Sequence, residues 1–369
     1  MDLDLLHELA QPNTTKIVLC SLDGLGGLPR PGTGKSELET ARLPNLHALA
    51  ARSACGLLRH VGPGITPGSG PGHLGLFGYD PLQHPVGRGV LEALGIDFHL
   101  KPGDVAARGN FCTVDGVELI IEPVKEHRFV LVLRGDGLSG RLSETDPQAL
   151  HVPPLPVRAL DPSAASTAAA VNHFIERARG ILQDAAPANM VLLRGFDRQP
   201  DIPLFPVTFR LRAAAIAAYP MYRGLARLVG MDVLDTGATF ADEIATLRER
   251  WCDYDFFFVH YKDTDKAGED GDFDAKVAAL ERFDSHLPAI LALGPDVLAV
   301  SGDHATPSIL AAHGWQPVPA LVSSPYCGAD HVSRFTERDC AAGALGLVPA
   351  QDLMPVLMAN ALRFTKYGA

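Results

Sequence analysis

The stretch "DVLAVSGDHATPSILAAH", residues 296–313, ends an apolar run in an acid and a histidine, and a second histidine follows nine positions later. Two other runs have the same form: "KIVLCSLDGLGG", residues 16–27, and "DFFFVHYKDTD", residues 255–265. Apolar runs without alternation are typical of strands buried on both faces, as in the parallel sheet of an α/β fold. Ligands of such sheets gather at the carboxyl ends of the strands. The three acidic turns are therefore predicted to lie at that edge of one sheet.

A helix is predicted between the second and third runs, over "DFDAKVAALERFDSHLPAILAL", residues 272–293. Its apolar residues recur at helical spacing: Val277, Leu280, Leu287 and Leu291. Asp272 and Asp274 stand where an N-terminal cap belongs. This helix would link two strands of the sheet in a βαβ unit.

The middle of the chain differs in amino-acid composition from its two ends. It is rich in Pro, Ala and Gly, and it contains strand-like pieces such as "EHRFVLVLRG", residues 126–135. A chain of 369 residues is expected to form about two domains at roughly 150 residues each. We predict a discontinuous α/β domain formed by residues 1–85 and 222–369, and a smaller α+β domain, residues 86–221, inserted into it.

Charge and composition exclude several classes of partner. The formal net charge is −11, whereas nucleic acids and anionic membranes bind basic surfaces. Six cysteines include no CxxC pair, which is typical of reduced thiols. The N-terminus "MDLDLLHELAQPNTTK" lacks the positive charge of a signal peptide, and no apolar run reaches the roughly 20 residues that span a bilayer. The sequence indicates a cytoplasmic protein with a small-molecule ligand, and it leaves the oligomeric state open.

The acids and histidines after the apolar runs are candidate metal ligands. Asp303, His304 and His313 lie within thirteen residues, and Asp265 and Glu269 lie four apart after another run. Hard divalent cations favour carboxylate oxygens, and imidazole extends the range to borderline metals. The alternative is a capped loop with a surface histidine and, for Glu269, a solvated acid.

A glycine- and proline-rich loop supplies a further candidate, Ser69. The loop is "GPGITPGSGPGHLGLFGYDP", residues 62–81, and Ser69 precedes a predicted short helix over "HLGLFG". Backbone N–H groups of such a loop can approach an anion closely, and a serine at a helix N-terminus is well placed to carry a phosphate. The alternative is a surface loop with a solvated serine.

Taken together, these pieces resemble the archaeal-type cofactor-independent phosphoglycerate mutases of the alkaline phosphatase superfamily. The similarity rests on "LDGLGG", the Ser69 loop, "KDTDKAGEDGDF" and "SGDHATP", and further matches are "GRGVLEALG", "ARGNF" and "AAYPMYRGLARLVGM". It covers nearly the whole chain. It implies an alkaline-phosphatase-like, mostly parallel sheet between layers of helices.

The resemblance also implies an activity: interconversion of 3-phosphoglycerate and 2-phosphoglycerate through a phosphoserine at a two-metal site. Ser69 would be the nucleophile. Two divalent ions, Mn²⁺ or else Mg²⁺, would be bound, one by Asp23, Ser69, Asp303 and His304 and the other by Asp265, Glu269 and His313. Metal coordination is one way to activate a serine hydroxyl, so the chemistry of the residues agrees.

Basic side chains should bind the phosphate and carboxylate of such a substrate. The resemblance implies this role for Lys262, close to the phosphoryl group, and for Arg223 and Arg227, which lie four apart and would share a helix face. Four further residues are candidates for substrate binding or positioning: His73, Arg88, Arg108 and Arg194. For these four, surface salt bridges are the alternative reading.

Two features depart from the family pattern. The family has His where this chain has Glu269, which moves the second site toward harder metals. An arginine-rich stretch usually follows "RGNFCTVDG", but here Gly116 runs into "VELIIEPVKEHRFVLVLRG". A looser cover over the substrate admits water. The alternatives are therefore a metal-dependent phosphatase or phosphonate-processing relative, and a non-catalytic phospho-ligand-binding protein.

Overall fold

The fold comes from a computed structural model, which describes residues 2–109, 118–125, 127–149, 152–185 and 189–368. The chain divides into two compact units. The first consists of Met1–His84, Pro203–Ala218 and Val229–Ala369, and the second of Pro85–Ile202 and Tyr219–Leu228.

The first unit is built on one sheet. Among the described residues its strands are β1 (Ile17–Leu22), β2 (Ala54–Arg59), β7 (Ala213–Ile216), β8 (Asp232–Val233), β9 (Phe256–Tyr261), β10 (Val297–Ser301), β11 (Val318–Ser323) and β12 (Gly346–Pro349). Their order is β12-β2-β11-β10-β1-β9-β7-β8. The pairs made by β11 are antiparallel, and the other described pairs in this sheet are parallel. The predicted mostly parallel α/β sheet is confirmed.

Helices pack on both faces of this sheet. They are α1 (Leu3–Leu9), α2 (Glu37–Thr40), α3 (Pro44–Ala50), α4 (Ser69–Leu76), α7 (Phe205–Thr208), α9 (Phe240–Glu249), α10 (Asp263–Glu269), α11 (Phe273–Leu291), α12 (Glu337–Cys340) and α13 (Leu353–Asn360). Alternate residues of β9 show the two layers. Phe257 and Val259 belong to the core that contains α11, whereas the ring of Phe258 packs against that of Phe77, which follows α4.

The three apolar runs form adjacent strands, as predicted. Every residue of β1, β9 and β10 is buried, and β1 pairs in parallel with both neighbours. Their carboxyl ends therefore lie at the same edge of the sheet. This edge holds Asp23, Asp265 and Asp303.

Helix α11 links β9 to β10, and its buried face differs from the predicted one. Asp272 caps it and accepts a hydrogen bond from the Ala275 N–H. Leu280 and Leu287 are fully buried, whereas Val277 and Leu291 are only partly buried. The remainder of the buried face includes two charged residues, Lys276 and Asp284. A pattern that counts apolar residues cannot place these, because both are held inside by hydrogen bonds.

The second unit is an antiparallel sheet with helices on both faces. Its described strands pair in the order β4 (Glu118–Lys125), β5 (Arg128–Arg134), β3 (Val105–Arg108), β6 (Arg194–Asp197). Its helices are α5 (Arg88–Gly95), α6 (Ala165–Leu182) and α8 (Pro220–Leu228). Residues of β5 alternate: Leu131 shares a core with α6, and Val130 shares one with α5. The unit is α+β in class.

The division of the chain differs from the predicted insert of residues 86–221. Residues 203–218 return to the first unit because β7 pairs with β9 in its sheet. Helix α8 belongs to the second unit because it packs closely on α5, where a Cβ on Gly224 would lie 1.8 Å from the Leu91 carbonyl oxygen. The four-residue, alanine-rich β7 is too short to be recognised in the sequence.

Residues 110–117, where the family's arginine-rich stretch is interrupted, lie outside the described residues. In the described part of the chain, no helix is long and apolar enough to cross a membrane.

Candidate metal centre

The carboxyl edge of β10, β1 and β9 brings the predicted ligands of a first cation together. Asp23 follows β1, and Asp303 and His304 follow β10; all three are buried. One ligand atom from each lies within 4.8 Å of the others. The Nε2 atom of His304 is 3.1 Å from Asp303 Oδ2 and 3.4 Å from Asp23 Oδ1.

Ser69 completes this first group. It is the first residue of α4, which begins four residues before the predicted helix over "HLGLFG", and only 7% of it is exposed. Its Oγ atom lies 3.3 Å from His304 Nε2. A Cβ on Gly72 would lie 2.2 Å from the Asp303 carbonyl oxygen, so the glycines of this loop let α4 approach the β10 turn closely. The Gly/Pro composition thus serves to place Ser69 beside the histidine.

A second group lies next to the first. Atoms of Asp265, His304 and His313 lie within 4.8 Å of one another. His313 Nε2 is 3.6 Å from Asp265 Oδ1 and 3.4 Å from Glu269 Oε1. Asp265 and Glu269 are one turn apart on α10. The rings of His304 and His313 stack with centroids 3.6 Å apart. The structure therefore assembles both predicted ligand sets, with His304 bordering on each.

The donor atoms suit two divalent cations. Two imidazoles and one hydroxyl lie close to four carboxylates, which are those of Asp23, Asp265, Glu269 and Asp303. Buried carboxylates are costly unless positive charge compensates them. Lys262 is one such charge: its Nζ lies 2.9 Å from Asp23 Oδ2 and 2.5 Å from Asp265 Oδ2. One lysine leaves a negative site, and oxygen-rich sites with imidazole suit divalent cations.

The pKa shifts show which of these acids are ionised. Burial would raise the pKa of Asp303, but His304 and His73 hold it well below its usual range. Burial and the charge of Asp303 both raise the pKa of Asp23. Lys262, His260 and His304 outweigh them and keep this pKa below its ordinary value. Burial and Asp23 raise the pKa of Asp265, with Lys262 opposing them. Asp23 and Asp303 are thus ionised at neutral pH.

The prediction that His73 binds substrate needs correction. Its ring is fully buried and packs edge-on against Phe258. Nδ1 lies 2.9 Å from the Ser69 carbonyl oxygen and 3.2 Å from Asp303 Oδ2, and Nε2 lies 3.1 Å from Ser21 Oγ. His73 therefore supports Asp303 and the start of α4 from behind, where no substrate can reach it.

Sequence reasoning missed several residues that support the ligands. His260 Nε2 lies 3.3 Å from Asp23 Oδ2. Thr306 lies between His304 and Asp265. Lys276 is buried and donates to the carbonyl oxygens of Gly26 and Thr306. Two of these residues could have been noticed as polar residues within apolar patterns. His260 interrupts the apolar run of β9, and Lys276 lies on the buried face of α11.

A group of arginines forms a second candidate site, inside the second unit. Arg108 and Arg194 are register partners on β3 and β6. They line a cavity of about 280 Å³ together with His127 and Arg128, two residues that the sequence prediction missed. Burial and the charges of Arg88 and Arg194 lower the pKa of Arg108 to about 10. Guanidinium groups that repel one another in a cavity form a site for an anion.

Arg223 and Arg227, which were predicted to bind substrate, lie beside an aspartate. Both lie on α8, as expected. Arg227 donates to the carbonyl oxygens of Leu94 and Gly95 at 2.9 and 3.3 Å and pairs with Asp97. Arg223 lies 4.0 Å from the same aspartate. The observed role of Arg227 is therefore to cap the C-terminal end of α5.

Comparisons with known proteins agree with this geometry. The Metalloenzyme superfamily model matches residues 15–360. A "Probable 2,3-bisphosphoglycerate-independent phosphoglycerate mutase" of Aquifex aeolicus is 47% identical over 409 positions and covers 100% of both chains. A protein of the same name from Deinococcus radiodurans is 48% identical and covers 100% of this chain and 99% of its own.

Two solved structures show the same fold. A protein of Pyrococcus horikoshii has a TM-score of 0.85 at 29% identity, covering 97% of this chain and 100% of its own. A cofactor-independent phosphoglycerate mutase of Thermoplasma acidophilum has a TM-score of 0.67 at 30% identity, covering 94% and 100%. The chain therefore belongs to the 2,3-bisphosphoglycerate-independent phosphoglycerate mutase family within the metalloenzyme superfamily.

Proposed function

We propose that this protein interconverts 3-phosphoglycerate and 2-phosphoglycerate, with Ser69 as the transient phosphoryl acceptor. The observation that carries the proposal is the position of Ser69 Oγ, 3.3 Å from His304 Nε2, beside buried carboxylates that suit two divalent cations. The names of close relatives support the same activity. Because this isomerisation is a step of glycolysis and gluconeogenesis, we also propose a cytoplasmic location.

In the proposed reaction Ser69 Oγ attacks the phosphorus of the bound phosphoglycerate. The new bond joins Oγ to phosphorus, and the bond from phosphorus to the C3 or C2 oxygen of the substrate breaks. The released glycerate oxygen gains a proton as the serine hydroxyl loses one. Glycerate then turns, and the oxygen of its other hydroxyl attacks phosphorus. The bond from Ser69 Oγ to phosphorus breaks, and the serine oxygen regains a proton as the glycerate hydroxyl loses one. Divalent cations, when bound, would lower the pKa of the serine hydroxyl and neutralise phosphoryl oxygens.

Residues of the chain would hold the charge of the transferring group. The N-terminal end of the eight-residue helix α4 begins at Ser69, and free backbone N–H groups at a helix N-terminus favour a phosphate. Lys262, 30% exposed and already between Asp23 and Asp265, is proposed to contact the phosphoryl oxygens. A cation at this position stabilises the charge that develops in transfer.

The arginine cavity of the second unit is proposed to bind anionic groups of the substrate. It offers Arg108, Arg128 and Arg194 as donors, with Arg88 close enough to lower the pKa of Arg108. Guanidinium groups bind carboxylate and phosphate with two parallel hydrogen bonds. Arg223 and Arg227 lie beside Asp97, and their contact with the substrate stays a prediction.

Arg108→Ala is expected to lower kcat/KM for 3-phosphoglycerate by roughly 10²-fold, because charge-assisted contacts in a dry site are strong. Arg108→Lys should restore only part of the loss, since lysine lacks the planar fork. The control is Arg141→Ala, which removes an arginine whose side chain is 73% exposed. Steady-state kinetics of the three variants check this, and an Arg108→Ala enzyme within threefold of the control would refute the assignment.

Glu269 is proposed to be a ligand of the second cation and to favour Mn²⁺ or Mg²⁺ over Zn²⁺. Its Oε1 lies 3.4 Å from His313 Nε2, and the hydrogen bond from His313 lowers its pKa. A carboxylate at this position adds one negative charge, which strengthens binding of a hard dication. Glu269→Gln should weaken Mn²⁺ binding about tenfold or more, and Glu269→His should shift the preference toward Zn²⁺.

Calorimetric titration with Mn²⁺, Mg²⁺ and Zn²⁺ measures these affinities. Asp270→Asn is the matched control, since Asp270 is the exposed neighbour at the end of the same helix. If Glu269→Gln binds all three metals as the control does, Glu269 is outside the coordination shell.

One observation favours a second candidate, a metal-dependent phosphatase. The alignment with the Aquifex relative runs over 409 positions, forty more than the 369 residues of this chain. A shorter chain can leave the substrate less covered, and water can then compete with glycerate for the phosphoryl group. Only the product ratio distinguishes the two activities.

The test of the proposed function is an assay of both products from 3-phosphoglycerate with Mn²⁺ present. A mutase forms 2-phosphoglycerate with little inorganic phosphate. A phosphatase releases inorganic phosphate and glycerate in equal amounts. Release of phosphate without any 2-phosphoglycerate would replace the proposed function by the second candidate.

A further inference from the structure

Thr306 is a buried residue that contacts ligands of both proposed cation sites. It follows His304 by two positions in the turn after β10, and it is fully buried. Its hydroxyl oxygen lies 2.6 Å from Asp265 Oδ1 and 3.0 Å from His304 Nδ1. Asp265 belongs to the second ligand set, and His304 Nε2 faces the first.

The direction of these two hydrogen bonds follows from the atoms involved. A threonine hydroxyl has one proton, and it donates this proton to Asp265 Oδ1. Its lone pair therefore accepts from the Nδ1–H of His304. This assigns the proton of the neutral imidazole to Nδ1 and leaves the lone pair on Nε2. A hydrogen bond to one ring nitrogen commonly fixes which nitrogen of a histidine binds a metal.

The lone pair on Nε2 points toward the first ligand set. Nε2 lies 3.1 Å from Asp303 Oδ2, 3.4 Å from Asp23 Oδ1 and 3.3 Å from Ser69 Oγ. In the other tautomer an N–H would face this set and oppose a cation. The hydrogen bond to Thr306 thus leaves Nε2 of His304 available to bind a cation at the site that contains Ser69.

The position of Thr306 is fixed from several sides. Its N–H donates to the Gly26 carbonyl oxygen at 3.1 Å, and its own carbonyl oxygen accepts from Lys276 Nζ at 2.7 Å. A Cβ on Gly24 would lie 2.4 Å from the Thr306 hydroxyl oxygen, and one on Gly268 would lie 2.3 Å from its carbonyl oxygen. Two glycines and a buried lysine thus hold the hydroxyl in one place.

We propose that Thr306 is a positioning residue that couples the two cation sites. A cation bound at the second site would hold the Asp265 carboxylate in place; this carboxylate accepts from the Thr306 hydroxyl, and the same hydroxyl holds the His304 ring through Nδ1. His304 Nε2 then becomes a better donor to a cation at the first site, since hydrogen-bond chains polarise cooperatively. By linkage the effect is reciprocal. The inference rests on the proposed function, because that proposal supplies the two cation sites.

The test is calorimetric titration of the metal-free protein with Mn²⁺, with bound Mn²⁺ also counted by paramagnetic resonance. Thr306→Val keeps the shape and removes the hydroxyl. It should weaken both binding steps about tenfold or more, as is common when the hydrogen-bond partner of a metal-binding histidine is lost. Thr306→Ser keeps the hydroxyl, so its Mn²⁺ affinity in both steps should stay within about threefold of that of the wild type. Glu269→Gln provides the contrast, since it should weaken mainly one step.

Thr336→Val is the matched control for loss of a buried threonine hydroxyl. Thr336 caps α12 and accepts from the Asp339 N–H, so its loss should lower the thermal midpoint and leave Mn²⁺ affinity unchanged. If the Val variant of Thr306 does not fold, Thr306→Ala replaces it in the same comparison.

Three results would overturn the proposal. Unchanged Mn²⁺ binding by Thr306→Val would show that the hydroxyl has no part in it. Equal losses in the Val and Ser variants would make packing the cause. Weakening of one step alone would remove the coupling. A wild-type protein that binds no Mn²⁺ would instead overturn the cation sites of the proposed function, so the two failures are distinguishable.

Discussion

Ser69→Ala is expected to abolish phosphoglycerate mutase activity and to leave the fold intact. The variant removes the only proposed phosphoryl acceptor, and loss of a catalytic nucleophile costs at least about 10³-fold in kcat. Ser69 begins α4 but Gly68 is the N-cap residue, and no side-chain cap is made there. Little stability should therefore be lost with the hydroxyl.

Steady-state kinetics with 3-phosphoglycerate and thermal unfolding measure the two halves of this expectation. Ser53→Ala is the matched control, because Ser53 is also buried but its hydroxyl donates to the Leu49 carbonyl oxygen. The control should lose some stability and retain turnover. Activity of Ser69→Ala at the level of this control would remove Ser69 from the mechanism.

Asp303→Asn is expected to have the second-largest effect, a loss of roughly 10³-fold in kcat/KM together with weaker binding of one cation. The amide keeps the shape of the carboxylate but removes a negative charge from a ligand. It also disturbs two contacts, because Oδ2 lies 3.2 Å from His73 Nδ1 and 3.1 Å from His304 Nε2. The lost charge and the altered imidazole positions act on the same site.

Asp284→Asn separates this effect from the general cost of changing a buried acid. Asp284 is 2% exposed and accepts from the N–H of Leu46 at 2.7 Å, at the start of α3. Its variant should unfold at a lower temperature with Mn²⁺ affinity unchanged. If Asp303→Asn binds two Mn²⁺ per chain as tightly as Asp284→Asn does, the first ligand set is misassigned.

The sheet and the ligand edge were predictable because their signals are local. Unalternated apolar runs indicate strands buried on both faces, and the acids that follow β1, β9 and β10 must then meet at one edge. The turn before α4 was predictable for a similar reason, since glycines and prolines mark it. These inferences need only residues that are neighbours in the sequence, whereas the role of Ser69 was inferred from the family resemblance.

The supporting residues were not predictable because their partners are distant in sequence. His73 lies one turn after Ser69 in α4, yet its ring packs against those of Phe258 and His260, which no local pattern connects to it. Thr306 gains its place from Asp265, and Lys276 from Gly26.

The arginines also show that the sequence can predict the element that carries a side chain but not the residue that this side chain contacts. Helix α8 was expected to present Arg223 and Arg227 on one face, and it does. Their partner is Asp97, which stands in a turn with a positive φ of 63° that the sequence did not indicate. Arg128 begins a strand, and only the pairing of β5 with β3 brings it beside Arg108.

The measurement that tests the central claim most directly is trapping of the phosphorylated enzyme. The Mn²⁺-loaded protein is mixed with 3-phosphoglycerate labelled in its phosphoryl group, quenched in acid during turnover, digested and mapped. The proposed function predicts label on the peptide that contains Ser69, and a chase with unlabelled glycerate should transfer that label to phosphoglycerate. Label that moves from 3- to 2-phosphoglycerate without ever appearing on Ser69 would contradict it.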